Sequence, residues 1–153
     1  MSDGGLALAA ASHTYDNEKG AVFVWERQQM NSTFSPYVTL TDPAGSSGDV
    51  LGYGGVTLSD NGLLLVSTSY TDDEKGDSSG SVLLWERGSI STSFEGIAPV
   101  KLIDPDGTLY DYLGYGGVCV SANGLILASS AYGDDEQGSG SGSVLVWERD
   151  NAS

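Results

Sequence analysis

Ten of the 21 acidic residues crowd into three short stretches that also carry glycine. They are Asp72, Asp73, Glu74 and Asp77 in "YTDDEKGDSSG", Asp134, Asp135 and Glu136 in its counterpart "YGDDEQGSGSG", and Asp104, Asp106 and Asp111 in "DPDGTLYD". Carboxylates gathered beside a residue that permits tight turns are what a hard cation uses, and calcium, with its shell of about six to eight oxygens, is the cofactor this pattern points to. No stretch has the full EF-hand spacing, so a plain solvated acidic loop is the competing reading.

Proton-transfer and nucleophilic chemistry find less support. The only histidine, His13, lies beside a serine near the amino terminus, and no Ser/His/Asp order, phosphate loop or zinc spacing accompanies it. Asp72 and Asp73 are adjacent, and neighbours along an extended chain point to opposite sides, which is poor geometry for a two-carboxylate mechanism. Cys119 is the single cysteine and stands where the neighbouring repeat has Thr57, so a half-buried small side chain is expected rather than a reactive thiol. The chain is therefore not expected to be an enzyme. A net charge of −15 would repel nucleic acid and anionic membranes, and no apolar run approaches the roughly 20 residues that span a bilayer. The opening "MSDGGLALAAAS" lacks a basic leader and reads as folded structure.

The elements that must position these residues come from internal repetition. "LGYGGVTLSDNGLLLVSTSYTDDEKG" from Leu51 returns 62 residues later as "LGYGGVCVSANGLILASSAYGDDEQG" from Leu113, and "GLALAAASHTYDNEKG" is a third, partial copy. One repeat domain, residues 1–153, thus divides into a partial unit 1–50, a full unit 51–112 and a partial unit 113–153. Each full unit predicts four antiparallel strands, A to D. Asn61-Gly62 and Asn123-Gly124 are expected to supply the positive φ angles of the A–B hairpin. The fold class is all-β: about two and a half four-stranded antiparallel propeller-like blades, open-ended, in the order B-C-D, A-B-C-D, A-B-C.

Strand C carries one phrase three times, "AVFVWER", "SVLLWER" and "SVLVWER", holding every tryptophan (Trp25, Trp85, Trp147) and every arginine (Arg27, Arg87, Arg149). Side chains alternate along a strand, so Trp85 and Arg87 share one face while Leu84 and Glu86 share the other. These six residues are expected to pack between blades, each arginine lying over a ring or pairing with a carboxylate. An exposed tryptophan platform for sugars is the competing reading.

The run "DVLGYGGVTLSDNGLLLVSTSYTDDEKGDSSGSVLLWER", its second copy and the preceding "TDPAGSSGD" resemble the FG-GAP repeat of integrin α-like propellers. Leu-Gly stands where that family has Phe-Gly, and "STSY", "SSAY" and "SHTY" stand where it has Gly-Ala-Pro. The resemblance implies a bladed propeller, extracellular placement, and adhesive or scaffolding work. The family's calcium loop between strands A and B is replaced here by the tight "SDNG" and "SANG" turns, so that site is not carried over.

Asn31 in "NST" and Asn151 in "NAS" match the acceptor pattern for asparagine-linked glycans, each just after a WER phrase. Glycosylation there would place the chain outside the cell or at its surface. Ten strands cannot close a ring of four-stranded blades, and free edges pair with whatever edge they meet. The expectation is a structural or adhesive repeat protein whose partners are copies of itself, joined head to tail in a filament or ring, or else a segment of a larger propeller. The alternative is a glycan- or protein-binding propeller module, with or without calcium.

Overall fold

The computed structural model describes residues 1–150 and contains ten strands. They are β1 (Ala7–Ser12), β2 (Ala21–Glu26), β3 (Val38–Leu40), β4 (Val56–Leu58), β5 (Leu64–Ser69), β6 (Ser81–Glu86), β7 (Val100–Leu102), β8 (Leu113–Val120), β9 (Ile126–Ala131) and β10 (Ser143–Glu148). A helical turn at Tyr15–Glu18 is the only other regular element among the described residues, and Asp16, Asn17 and Glu18 there have positive φ. The architecture is all-β: three antiparallel sheets, β1-β2-β3, β4-β5-β6-β7 and β8-β9-β10, none closed into a barrel. They form three propeller-like blades with the strand content B-C-D, A-B-C-D and A-B-C.

Within each sheet, strands consecutive in sequence pair with one another, and strands B and C keep one register throughout: Leu8 faces Trp25, Leu65 faces Trp85, and Leu127 faces Trp147. The A–B hairpin of the second blade closes through Ser59 N–H to Leu64 O at 2.9 Å and Gly62 N–H to Ser59 O at 2.9 Å. Only the glycines, Gly62 (φ 70°) and Gly124 (φ 75°), take the left-handed conformation, which corrects the expectation that the asparagines share it. Asn61 instead accepts Leu63 N–H and the Ser59 hydroxyl through Oδ1, and Asn123 does the same with Leu125 N–H and Ser121. The short amide side chain mimics a backbone turn, so the residue needs no unusual dihedral.

Successive blades are tied where strand C of one meets the entry to the next. Gly20 bridges Leu51 and Gly80 bridges Leu113 in parallel fashion. A Cβ on Gly20 would collide with the backbone of Leu51, and one on Gly80 with that of Leu113, so the two chains approach too closely for any side chain.

Packing is face to face. One apolar cluster joins Ala7, Val22 and Val24 of the first blade to Leu65, Leu83 and Trp85 of the second. Another joins Leu64, Val66, Val82 and Leu84 of the second to Leu113, Leu127 and Trp147 of the third. Each blade therefore has a front face toward the preceding blade, carrying the tryptophan, and a back face toward the following one, carrying branched aliphatics. In the middle blade both are covered and β5 is buried along its whole length. In the third blade the back face is open: Val144 and Val146 are 67% and 58% exposed, against 0% and 7% for their counterparts Val82 and Leu84. Cys119 is exposed, not half-buried as expected, because it lies on the side of β8 opposite Val118 and Val120, where no blade covers it.

Trp85 is completely buried. Trp85→Ala is expected to lower the unfolding free energy by about 3 to 5 kcal/mol in denaturant titrations, with Trp85→Phe losing less because more of the volume is kept.

Candidate functional site

The WER phrases meet at the seams. Arg87, only 3% exposed, reaches Glu26 of the preceding blade with Nη1 2.5 Å from Oε1. Its Nε donates to Gly62 O at 2.8 Å, Nη1 also donates to Thr92 O at 2.9 Å, and the guanidinium lies 4.6 Å from the Phe94 ring centre. A cation that deep is tolerated only when paired and hydrogen-bonded, and burial pulls the arginine's pKa down while Glu26 opposes that. Arg149 pairs in the same manner with Glu86 and donates to Gly124 O at 3.2 Å.

At the two ends the pattern is half complete. Arg27 donates to Gly5 O at 2.8 Å and lies 4.7 Å over Phe34, but has no carboxylate partner among the described residues. Glu148 is exposed and has no cationic partner among them either. Trp25 sits half-buried on the open front face of the first blade against Tyr37, with ring centres 5.7 Å apart.

Among the described residues no group of three or more Asp, Glu, His or Cys side chains is arranged so that it could hold a metal ion. Asp72 and Glu74 meet Asp42, which the acidic pattern did not single out, around the ammonium of Lys101 at 2.6, 3.0 and 2.7 Å. Ser81 Oγ donates to the same Asp72 carboxylate at 2.9 Å. This donor set holds an ammonium.

Most of the other carboxylates in these stretches accept hydrogen bonds within their own loops, and Asp77 ties its loop to that of Tyr110. Asp73 accepts Ser78 N–H, Asp77 accepts the Tyr110 hydroxyl, and Asp104 accepts Asp106 N–H. Asp111 accepts Thr108 N–H and hydroxyl, Asp134 accepts Glu136 N–H, and Asp135 accepts Gly140 N–H. Burial alone would lower the Lys101 pKa, but hydrogen bonds to Asp42, Asp72 and Glu74 outweigh it and raise the value above the ordinary 10.5. The stability gained is complete below the ordinary lysine value and is lost as pH climbs through the raised one.

A second feature was missed from sequence. Tyr53, Tyr70, Tyr115 and Tyr132 form a continuous aromatic row, with ring centres 4.7 Å apart for Tyr53–Tyr70, 5.1 Å for Tyr70–Tyr115 and 5.4 Å for Tyr115–Tyr132. Tyr53, Tyr115 and Tyr132 are exposed, and His13 packs edge-on against Tyr53 at 5.3 Å. The signal was the tyrosine at the same place in both "GYGG" copies and again after each strand B. Gly54 lets the blades close up there, since a Cβ on it would lie 2.7 Å from Gly117 Cα.

Asn31 is exposed in the loop leaving the first strand C, and Asn151 lies outside the described residues. The fold and its seams define an open-ended, propeller-like repeat. Set against models of known protein families, curated proteins and solved structures, the chain matches none of them.

Lys101→Met would leave Asp42, Asp72 and Glu74 facing one another without a counter-charge. The expected loss at pH 7 is about 2 to 4 kcal/mol, the buried-pair range reduced for partial exposure. Because folding of the variant would favour protonated carboxylates, its deficit relative to the parent should narrow as pH falls toward about 4, which paired denaturant titrations at the two pH values measure.

Proposed function

We propose that this chain is a non-enzymatic, extracellular structural or adhesive protein, an FG-GAP-like propeller unit that joins copies of itself head to tail into a filament or ring. What supports this is the complementarity of its two end faces. The front of the first blade presents Leu8, Phe23, Trp25 and Arg27, the counterparts of Leu65, Leu83, Trp85 and Arg87. The back of the third presents Ile126, Val144, Val146 and Glu148, the counterparts of Leu64, Val82, Leu84 and Glu86. Those two sets meet at both internal seams, so a third meeting between copies would repeat a contact the chain already makes. It would also give Arg27 its glutamate and Glu148 its arginine. Such a contact is heterologous, closing into a ring or continuing as a filament. Glycan on the exposed Asn31 would keep the sides of the assembly soluble.

The test is the mass in solution at micromolar concentration together with electron microscopy of the same sample. Arg27→Glu and Glu148→Arg should each disperse the assembly. Mixing the two variants should restore one junction, where the introduced glutamate of one copy faces the introduced arginine of the other. A homogeneous 15.9 kDa monomer would overturn the proposal.

The exposed tyrosine row favours a second reading, a glycan- or protein-binding module, since aromatic rings aligned on one rim offer a stacking surface. On this reading Tyr115→Ala abolishes retention on immobilised glycans while leaving the melting temperature within a degree or two of the parent. Equal retention of parent and variant would set it aside.

A further inference from the structure

We propose that the third blade accepts an extended segment of a partner as its outer strand, one carrying an aromatic residue and, seven positions later, a lysine between branched aliphatics. The inference goes beyond head-to-tail assembly, because it concerns the edge of the sheet and not its face. Three separate observations place the segment.

The first is the edge. In the middle blade β6 pairs with β7 through Val82↔Leu102, Leu83↔Lys101 and Leu84↔Val100. Val144, Leu145 and Val146 occupy the same positions on β10, whose far side has no strand partner among the described residues. An unpaired edge of this kind recruits an extended chain through its backbone groups, and side-chain pockets then select among sequences.

The second is charge. Asp104, Asp134 and Glu136 are the counterparts of Asp42, Asp72 and Glu74, the three carboxylates that hold the Lys101 ammonium. Around Glu136 the negative charge is uncompensated: Asp134 raises its pKa most, followed by burial, Asp106, Asp104 and Asp111. Lys75, which reaches this region, donates to Pro105 O at 2.9 Å and makes no ion pair with these carboxylates. The same side chains that grip a lysine at one seam thus stand at the next without one.

The third is shape. Phe94 is fully buried at the first seam, stacked on Arg87 and clustered with Val38, Leu40, Leu65 and Trp85. The counterparts of that enclosure, Val100, Leu102, Leu127, Trp147 and Arg149, line a cleft of about 410 Å³ at the second seam. Phe94 precedes Lys101 by seven residues, so one segment running along β10 would fill the cleft and reach the carboxylates together.

The probe is the synthetic peptide TSFEGIAPVKLID, the sequence of residues 92–104, titrated into the Arg27→Glu variant, whose substitution lies on the first blade away from β10 and its cleft, so that self-association does not intervene. Expected are saturable one-to-one binding by calorimetry, a raised melting temperature, and new amide-exchange protection at Ser143–Glu148. Replacing the peptide's phenylalanine by alanine, or its lysine by glutamate, should each weaken binding about tenfold or more. Asp134→Asn should weaken the parent peptide but not a lysine-to-glutamine peptide, which ties the lysine to that carboxylate. The peptide substitutions leave the folded protein untouched, so the proposal stays testable if Asp134→Asn is unstable. No saturable binding, equal binding of a scrambled peptide, or protection that appears at β6 by exchange with β7 would overturn it. Failure of assembly with success of the peptide, or the reverse, separates this proposal from the previous one.

Discussion

Everything in this molecule depends on one contact: a tryptophan and leucines on the front of one sheet laid against branched aliphatics on the back of the sheet before it. No blade can bury both of its apolar faces alone, because a sheet has no interior of its own. The middle blade solves the problem by having a neighbour on each side, and the blades around it solve half of it. Stability is therefore distributed between neighbours, as in other linear repeats, with the first seam the more completely filled of the two.

Polar groups at the seams fix the rotation that apolar packing leaves loose. Hydrophobic contact is non-directional, whereas the ion pairs Arg87–Glu26 and Arg149–Glu86 span 61 and 63 residues of sequence and demand one angle between sheets. The glycine bridges at Leu51 and Leu113 fix the distance at the other end of the same strands. Lys101 adds a third fastening, since Asp42 belongs to the first blade and Asp72, Glu74 and Lys101 to the second.

Strand number, strand order and the two-faced character of strand C were legible in the sequence, because each is a local, period-two pattern reinforced by repetition. What escaped depends on neighbours distant in the chain. Asn61 keeps ordinary dihedrals because its side chain finds local hydrogen bonds, and Cys119 is exposed because of what covers its sheet rather than what flanks it. Lys101 could not be recognised as a fastening, since the corresponding residue in the first unit is Thr39 and the carboxylates it gathers come from two loops of different blades. The tyrosines were visible as repeated letters, but their alignment into a row follows from the stacking of blades.

That the seam is written in a single phrase, in one register, in all three blades has a hereditary consequence. Unequal recombination that added or removed one 62-residue unit would bring together faces built from the same counterpart residues as those that meet at the two seams. Fold integrity is thereby uncoupled from gene length. A lineage carrying this repeat is free to lengthen or shorten its proteins without inventing a new interface.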